Sequence, residues 1–92
     1  MVRVSVSQHH NKTEDEVREI VNGVTDDLEN RYGISPHWQG ENLVKFKRSG
    51  VSGQLRISKN EVTIDLDIGF LLSAYAGKIK SELTTMMARK LG

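Results

Sequence analysis

The sequence predicts an α+β fold, a two-layer sandwich with an antiparallel sheet carrying both helices on one face, in the order β-α-β-β-β-β-α. Three observations predict it. Two segments, one following Thr13 and one running from Gly69 to Leu91, repeat apolar residues at helical spacing along one side. Between them Leu43–Arg48, Val51–Ser58 and Glu61–Ile68 alternate apolar with polar residues and are joined by the short turns Ser49-Gly50 and Lys59-Asn60. The two hairpins these turns define agree, independently, on which residues share the apolar face. Strands on one side and helices on the other are the mark of an α+β sandwich, and residues 1–92 form a single domain.

The first strand is read from Val2, Val4 and Val6 alternating with Arg3, Ser5 and Ser7. His9-His10-Asn11-Lys12 is a polar connector. Thr13-Glu14-Asp15-Glu16 then fits a capping box, in which the threonine hydroxyl accepts an early helix N–H and Glu16 reaches back to the Thr13 amide. Three carboxylates in the first turn also suit the positive end of the helix dipole. Val17, Ile20, Val21, Val24, Leu28 and Tyr32 form the buried stripe, and Gly33 is the expected terminator because it adopts φ > 0 without steric cost.

Ile34 to Gln39 reads as a short strand. Pro36 lacks an N–H, which confines it to an edge or a strand start. Gly40-Glu41-Asn42 turns the chain into the hairpins. With two-residue loops, Phe46 lies opposite Gly53 and Gly53 opposite Leu66, while Val44 lies opposite Leu55 and Leu55 opposite Ile64. A slip of one residue would send the apolar set to the other face. The solvated face then carries Lys45, Lys47, Gln54, Arg56, Thr63, Asp65 and Asp67. Gly53, on the inner face, either leaves a hollow for a helix or marks a bulge.

In the last segment a 100° projection places Leu72, Tyr75, Ala76, Ile79, Leu83, Met86 and Met87 on one face. Taken as a single helix of about 22 residues it would be roughly 33 Å long, against about 23 Å for a seven-residue strand. The sheet must curve around the helix or the helix must project. Lys90 falls in the centre of the stripe, so burial is expected to stop near Met87 and leave a projecting tail. Phe70 falls opposite the stripe, and it either packs under the sheet end at the strand-to-helix corner or joins an exposed contact patch.

Composition limits the function. The chain is 37% apolar and 27% charged, with a net charge of +1 and no cysteine, so disulfide and thiolate chemistry are excluded. No signal peptide or spanning segment is evident at the start, and a cytoplasmic location is expected. The charge is uneven: seven carboxylates accompany Arg18 and Arg31 between Thr13 and Gly33, while Gly69–Leu91 carries Lys78, Lys80, Arg89 and Lys90 against Glu82. Helices of opposite sign would pair side by side, a small effect at exposed positions.

Chemical motifs are absent. His9, His10 and His37 have no metal-ligand spacing, and Asp65 with Asp67 reads as a solvated charge ladder. Arg48-Ser49-Gly50-Val51-Ser52-Gly53 joins two strands and opens no helix, so it is hairpin chemistry and not a phosphate loop. Arg48 points to the apolar face near Val51, at the sheet margin, where it snorkels or pairs with an acidic residue of the first helix. The cations offer a basic face at Lys45, Lys47 and Arg56, but few aromatics accompany them, and nucleic acid is not the expected partner.

Phe46-Lys47-Arg48-Ser49-Gly50-Val51-Ser52-Gly53, Val62-Thr63-Ile64 and Ile68-Gly69-Phe70-Leu71-Leu72, with Tyr32-Gly33-Ile34, Trp38 and Gly40, resemble the polyhydroxyalkanoic acid system protein family over essentially the whole chain. Ile68 stands where leucine is usual. The resemblance implies a role in bacterial polyester metabolism, some members being linked to granule surfaces, and it carries over no catalytic residue. The expectation is a non-enzymatic accessory protein, without cofactor or metal, that binds the granule surface or a granule coat protein. The contact surface is expected at Phe70, Leu71, Leu72, Met86, Met87 and Leu91, with the basic face of Lys45, Lys47 and Arg56 as the alternative surface, and the C-terminal helix is the expected route to a homodimer. The alternative is a small hydrophobic-ligand binder in which a curved sheet grips that helix around a cavity, although the short chain and well-filled inner face argue against it.

Overall fold

The computed structural model describes residues 2–92. Its elements are β1 (Val2–His9), α1 (Glu14–Tyr32), β2 (Ser35–Trp38), β3 (Leu43–Arg48), β4 (Val51–Ile57), β5 (Glu61–Ile68), a 3-10 helix (Phe70–Tyr75) and α2 (Ala76–Leu91). The strands form one sheet in the order β1-β5-β4-β3-β2, with every neighbouring pair antiparallel. β2, with Pro36, is an edge strand, as its missing N–H requires. β1 is the other edge and pairs with β5 from Val2↔Ile68 to His9↔Glu61.

The hairpin register is the predicted one: Val44↔Leu55, Phe46↔Gly53, Leu55↔Ile64 and Gly53↔Leu66. Val44, Leu55, Ile64 and Leu66 are fully buried beneath the helices, in one core with Val17, Val21, Leu28, Leu83 and Met87. The opposite face holds exposed Lys45, Lys47 and Arg56 and half-buried Asp65 and Asp67. Gly53 is neither a hollow for a helix nor a bulge. The ladder runs through it without interruption, and a Cβ there would strike the carbonyl oxygen of Asp65 and lie 2.8 Å from Leu66 Cδ2. β5 itself fills the space.

The capping box of α1 forms as predicted, with the Glu16 amide donating to Thr13 Oγ1 at 3.3 Å and the Thr13 amide to Glu16 Oε1 at 3.2 Å. Gly33 ends the helix at φ 66°. Ile20 and Tyr32, expected in the buried stripe, are only partly covered and pack at its margin. α1 and α2 run antiparallel and are joined by two ion pairs, Lys90 Nζ to Asp27 Oδ2 and Arg31 Nη1 to Glu82 Oε2, each at 3.5 Å. The second pair reverses the bulk polarity of the helices, so local geometry and not overall charge sets this contact.

The C-terminal segment differs from expectation. It is not one long α-helix: residues 70–75 wind as a 3-10 turn and α2 has 16 residues. At 1.5 Å per residue α2 spans about 24 Å, close to the roughly 26 Å of an eight-residue strand. No tail projects. Leu91 is 2% exposed and Met87 fully buried, and Lys90 swings aside to reach Asp27. The overhang lies at the other end of the segment, in the 3-10 turn.

Candidate functional site

The corner between β5 and α2 is built by two glycine turns that meet. Ser49-Gly50 closes the β3–β4 hairpin, with Gly50 at φ 84°. Its carbonyl accepts the Gly69 amide at 2.7 Å. A Cβ on Gly69 would sit 3.0 Å from that same oxygen, and one on Gly50 would sit 3.3 Å from Leu72 Cδ1. The hairpin tip is therefore clamped under the start of the 3-10 turn. Within the turn the Leu72 amide donates to the Gly69 carbonyl at 3.0 Å, and Ser73 Oγ donates to the Phe70 carbonyl at 2.9 Å.

The clamp decides which side chains face outward. In a 3-10 helix residues three apart eclipse one another, so Leu72 and Tyr75 share one side, where both line a cleft. Phe70 and Leu71 stand clear of it, 82% and 89% exposed, and Tyr75 is 56% exposed. Tyr75 thus leaves the core stripe on which helical spacing placed it, because the tighter winding rotates it away. Among the described residues, the only other exposed large apolar side chain is Val2.

Of the residues expected to form a contact surface, only Phe70 and Leu71 are fully available. Leu72 is half-buried against the core. Met86, Met87 and Leu91 are buried by the chain itself, which corrects the expectation that they remain uncovered and removes the basis for pairing two copies through that end of the helix.

The cleft beside the corner has a volume of about 520 Å³. Buried Ile34, Val51 and Ile79 and half-buried Leu72 supply its apolar surface, and exposed Arg31, Arg48 and Lys78 stand around them with Tyr32 and Tyr75. Tyr32 Oη donates to Glu82, which also pairs with Arg31. Burial, and then this hydrogen bond, push the Tyr32 phenol up to about 12. The same hydrogen bond is the largest influence holding the Glu82 carboxyl below its ordinary range. Arg48 lies at the sheet margin on the apolar side, as predicted, but makes no ion pair with α1 among the described residues.

The alternative basic face is electrically mixed. Lys45 Nζ donates to Gln54 Oε1 at 3.1 Å, and Arg3 pairs with Asp67 at 3.0 Å. Lys45 and Arg56 share a shallow basin with Asp65 and Asp67. The histidines do not converge on a metal: among the described residues no three His, Cys, Asp or Glu side chains group as ligands. His10, expected in a polar connector, is instead buried. Its Nδ1 accepts the Lys12 amide at 3.2 Å, which leaves Nε2–H to donate to the Ser58 carbonyl at 3.3 Å. Nothing in its local sequence marks this role, because the partner lies in a turn 48 residues away.

The family described as "Putative polyhydroxyalkanoic acid system protein" matches residues 4–91. The chain belongs to that family. The family is thereby tied to the polyhydroxyalkanoate system, and the match spans both glycine turns and the corner they build. No curated protein and no solved structure matches the chain. Among the described residues no helix is long and apolar enough to cross a membrane.

Proposed function

We propose that this member of the polyhydroxyalkanoic acid system family is a non-enzymatic accessory protein that attaches to the polyester granule surface through the Phe70–Tyr75 corner. One observation carries the reading: Phe70 and Leu71, adjacent in the chain, stand almost fully exposed on a short turn that a backbone hydrogen bond ties to the β3–β4 hairpin. Grouped exposed apolar side chains mark a contact surface, and covering a side chain the size of Phe or Leu contributes about 1.5–3 kcal/mol. A protruding ridge of this kind enters an apolar layer without needing a shaped receptor, which favours the ester-rich surface itself over a coat protein. The cleft lining contains cations, phenols and aliphatic side chains, a set suited to binding and not to proton or group transfer. Co-sedimentation with granules, comparing the wild type with Phe70→Ser and Leu71→Ser, tests the assignment. Binding that persists only when coat proteins are retained on the granules would transfer the contact to a protein partner.

A further inference from the structure

We propose that the cleft beside the corner is a separate site for the headgroup end of a single-chain anionic amphiphile, a carboxylate or phosphate monoester on an alkyl chain. At about 520 Å³ it falls within the roughly 300–1,000 Å³ of small-molecule sites. Its two kinds of lining ask for two kinds of ligand group. Half-buried Leu72 and exposed Tyr75 of the 3-10 turn give its accessible apolar surface, over a floor of buried Ile34, Val51 and Ile79. Arg31, Arg48 and Lys78 bring three cations to the same space, and no carboxylate lines it.

Those cations are incompletely matched. Arg31 shares Glu82 at 3.5 Å with the Tyr32 hydroxyl, and Arg48 and Lys78 make no ion pair among the described residues. Lys78 does act on the Glu82 carboxyl through space. Glu82 therefore answers Arg31 and, through space, Lys78, while no ion pair holds Arg48 among the described residues. The outer basin differs: there two carboxylates, Asp65 and Asp67, lie among Arg3, Lys45 and Arg56, and Arg3 pairs with Asp67.

A bare anion would meet the cations but leave half-buried Leu72 and the exposed Tyr75 ring wet. A neutral alkyl chain would cover that surface but leave the cations unmatched. A ligand carrying both groups gains burial and charge-assisted hydrogen bonds at once. The Arg48 guanidinium suits a two-oxygen headgroup by its planar fork. This site does not depend on granule attachment, because neither Phe70 nor Leu71 lines it.

The test is a calorimetric and NMR titration of the full chain with decanoate, decyl phosphate, decanol and inorganic phosphate, each kept below micelle-forming concentration. The expected result is saturable one-to-one binding of at least one of the two charged amphiphiles. Decanol should bind about tenfold more weakly or worse, and phosphate should not saturate in the same range. The tighter of decanoate and decyl phosphate identifies the headgroup. Replacing Arg48 and Lys78 together with Gln should weaken binding about tenfold while leaving the melting temperature unchanged, and Lys45→Gln with Arg56→Gln should change nothing. Decanol binding as tightly as the charged ligands would overturn the proposal without recourse to any variant. So would binding to phosphatidylglycerol vesicles with none to the dispersed amphiphiles.

Discussion

The amide of Gly69 donates to the carbonyl of Gly50 at 2.7 Å, joining the tip of the β3–β4 hairpin to the start of the 3-10 turn. The two residues are 19 positions apart, and both belong to the segments by which the sequence resembles its family. Their meeting explains why neither carries a side chain: Gly50 needs φ 84°, and a Cβ on Gly69 would press on the oxygen it donates to. The exposed corner is thus held by the sheet and does not hang from α2.

Gly50→Ala should destabilise the domain by about 1–3 kcal/mol, the cost of forcing an L-residue into the left-handed region, with added pressure on Leu72. Urea denaturation measures this. A loss below about 0.3 kcal/mol would show that the turn rearranges freely and that the corner is not clamped.

Gly53→Ala tests the other close approach. The new methyl meets backbone of β5, which cannot give way as a flexible side chain could. The expected loss is about 1–3 kcal/mol or more. An unchanged midpoint would contradict the spacing of β4 and β5.

His10→Ala should cost about 1 kcal/mol, since it removes the two hydrogen bonds of a buried side chain, to the Ser58 carbonyl and from the Lys12 amide. The exposed His37 supplies the control, and His37→Ala should be close to neutral. Equal effects at both positions would remove His10 from the structural account.

The sheet was legible in the sequence because two hairpins with fixed loop lengths demanded the same apolar face, and parity left one solution around Val44, Leu55 and Ile64. α1 was legible from its own caps, Thr13, Glu16 and Gly33, which are local. The corner was not. Leu72 and Tyr75 continue the helical stripe of Ala76–Leu91, and what tightens residues 70–75 into a 3-10 turn is the contact of Gly69 and Leu72 with Gly50, a tertiary restraint. That error of winding placed Tyr75 in the core and moved the overhang to the wrong end, with Met86, Met87 and Leu91 drawn into an exposed surface they do not form. The cleft was hidden for the same reason. Arg31, Arg48 and Lys78 lie on three elements and share no spacing, so only Arg48, through its register with Val51, hinted at an apolar margin.

The Tyr32–Glu82 contact predicts a pH dependence. Glu82 is held below its ordinary range in the folded protein, so its contribution is present above the unfolded value and disappears as pH falls through the lowered one. Tyr32 is raised to about 12, so its contribution is present below the ordinary phenol value near 10 and is lost as pH climbs from there through about 12. Tyr32→Phe should abolish the alkaline loss and bring the Glu82 titration, followed by NMR, back toward the ordinary carboxyl range. A Glu82 titration unmoved by Tyr32→Phe would mean that the hydroxyl does not govern it.

The central claim is that Phe70 and Leu71 are the contact surface, and co-sedimentation with polyhydroxyalkanoate granules tests it most directly. Because both side chains are exposed, Phe70→Ser combined with Leu71→Ser should leave the urea midpoint nearly unchanged. Losing about 1.5–3 kcal/mol of burial at each position should reduce granule affinity at least tenfold. The account predicts a folded double variant that stays in the supernatant while the wild type pellets with the granules. A folded double variant that pellets as the wild type does would contradict it.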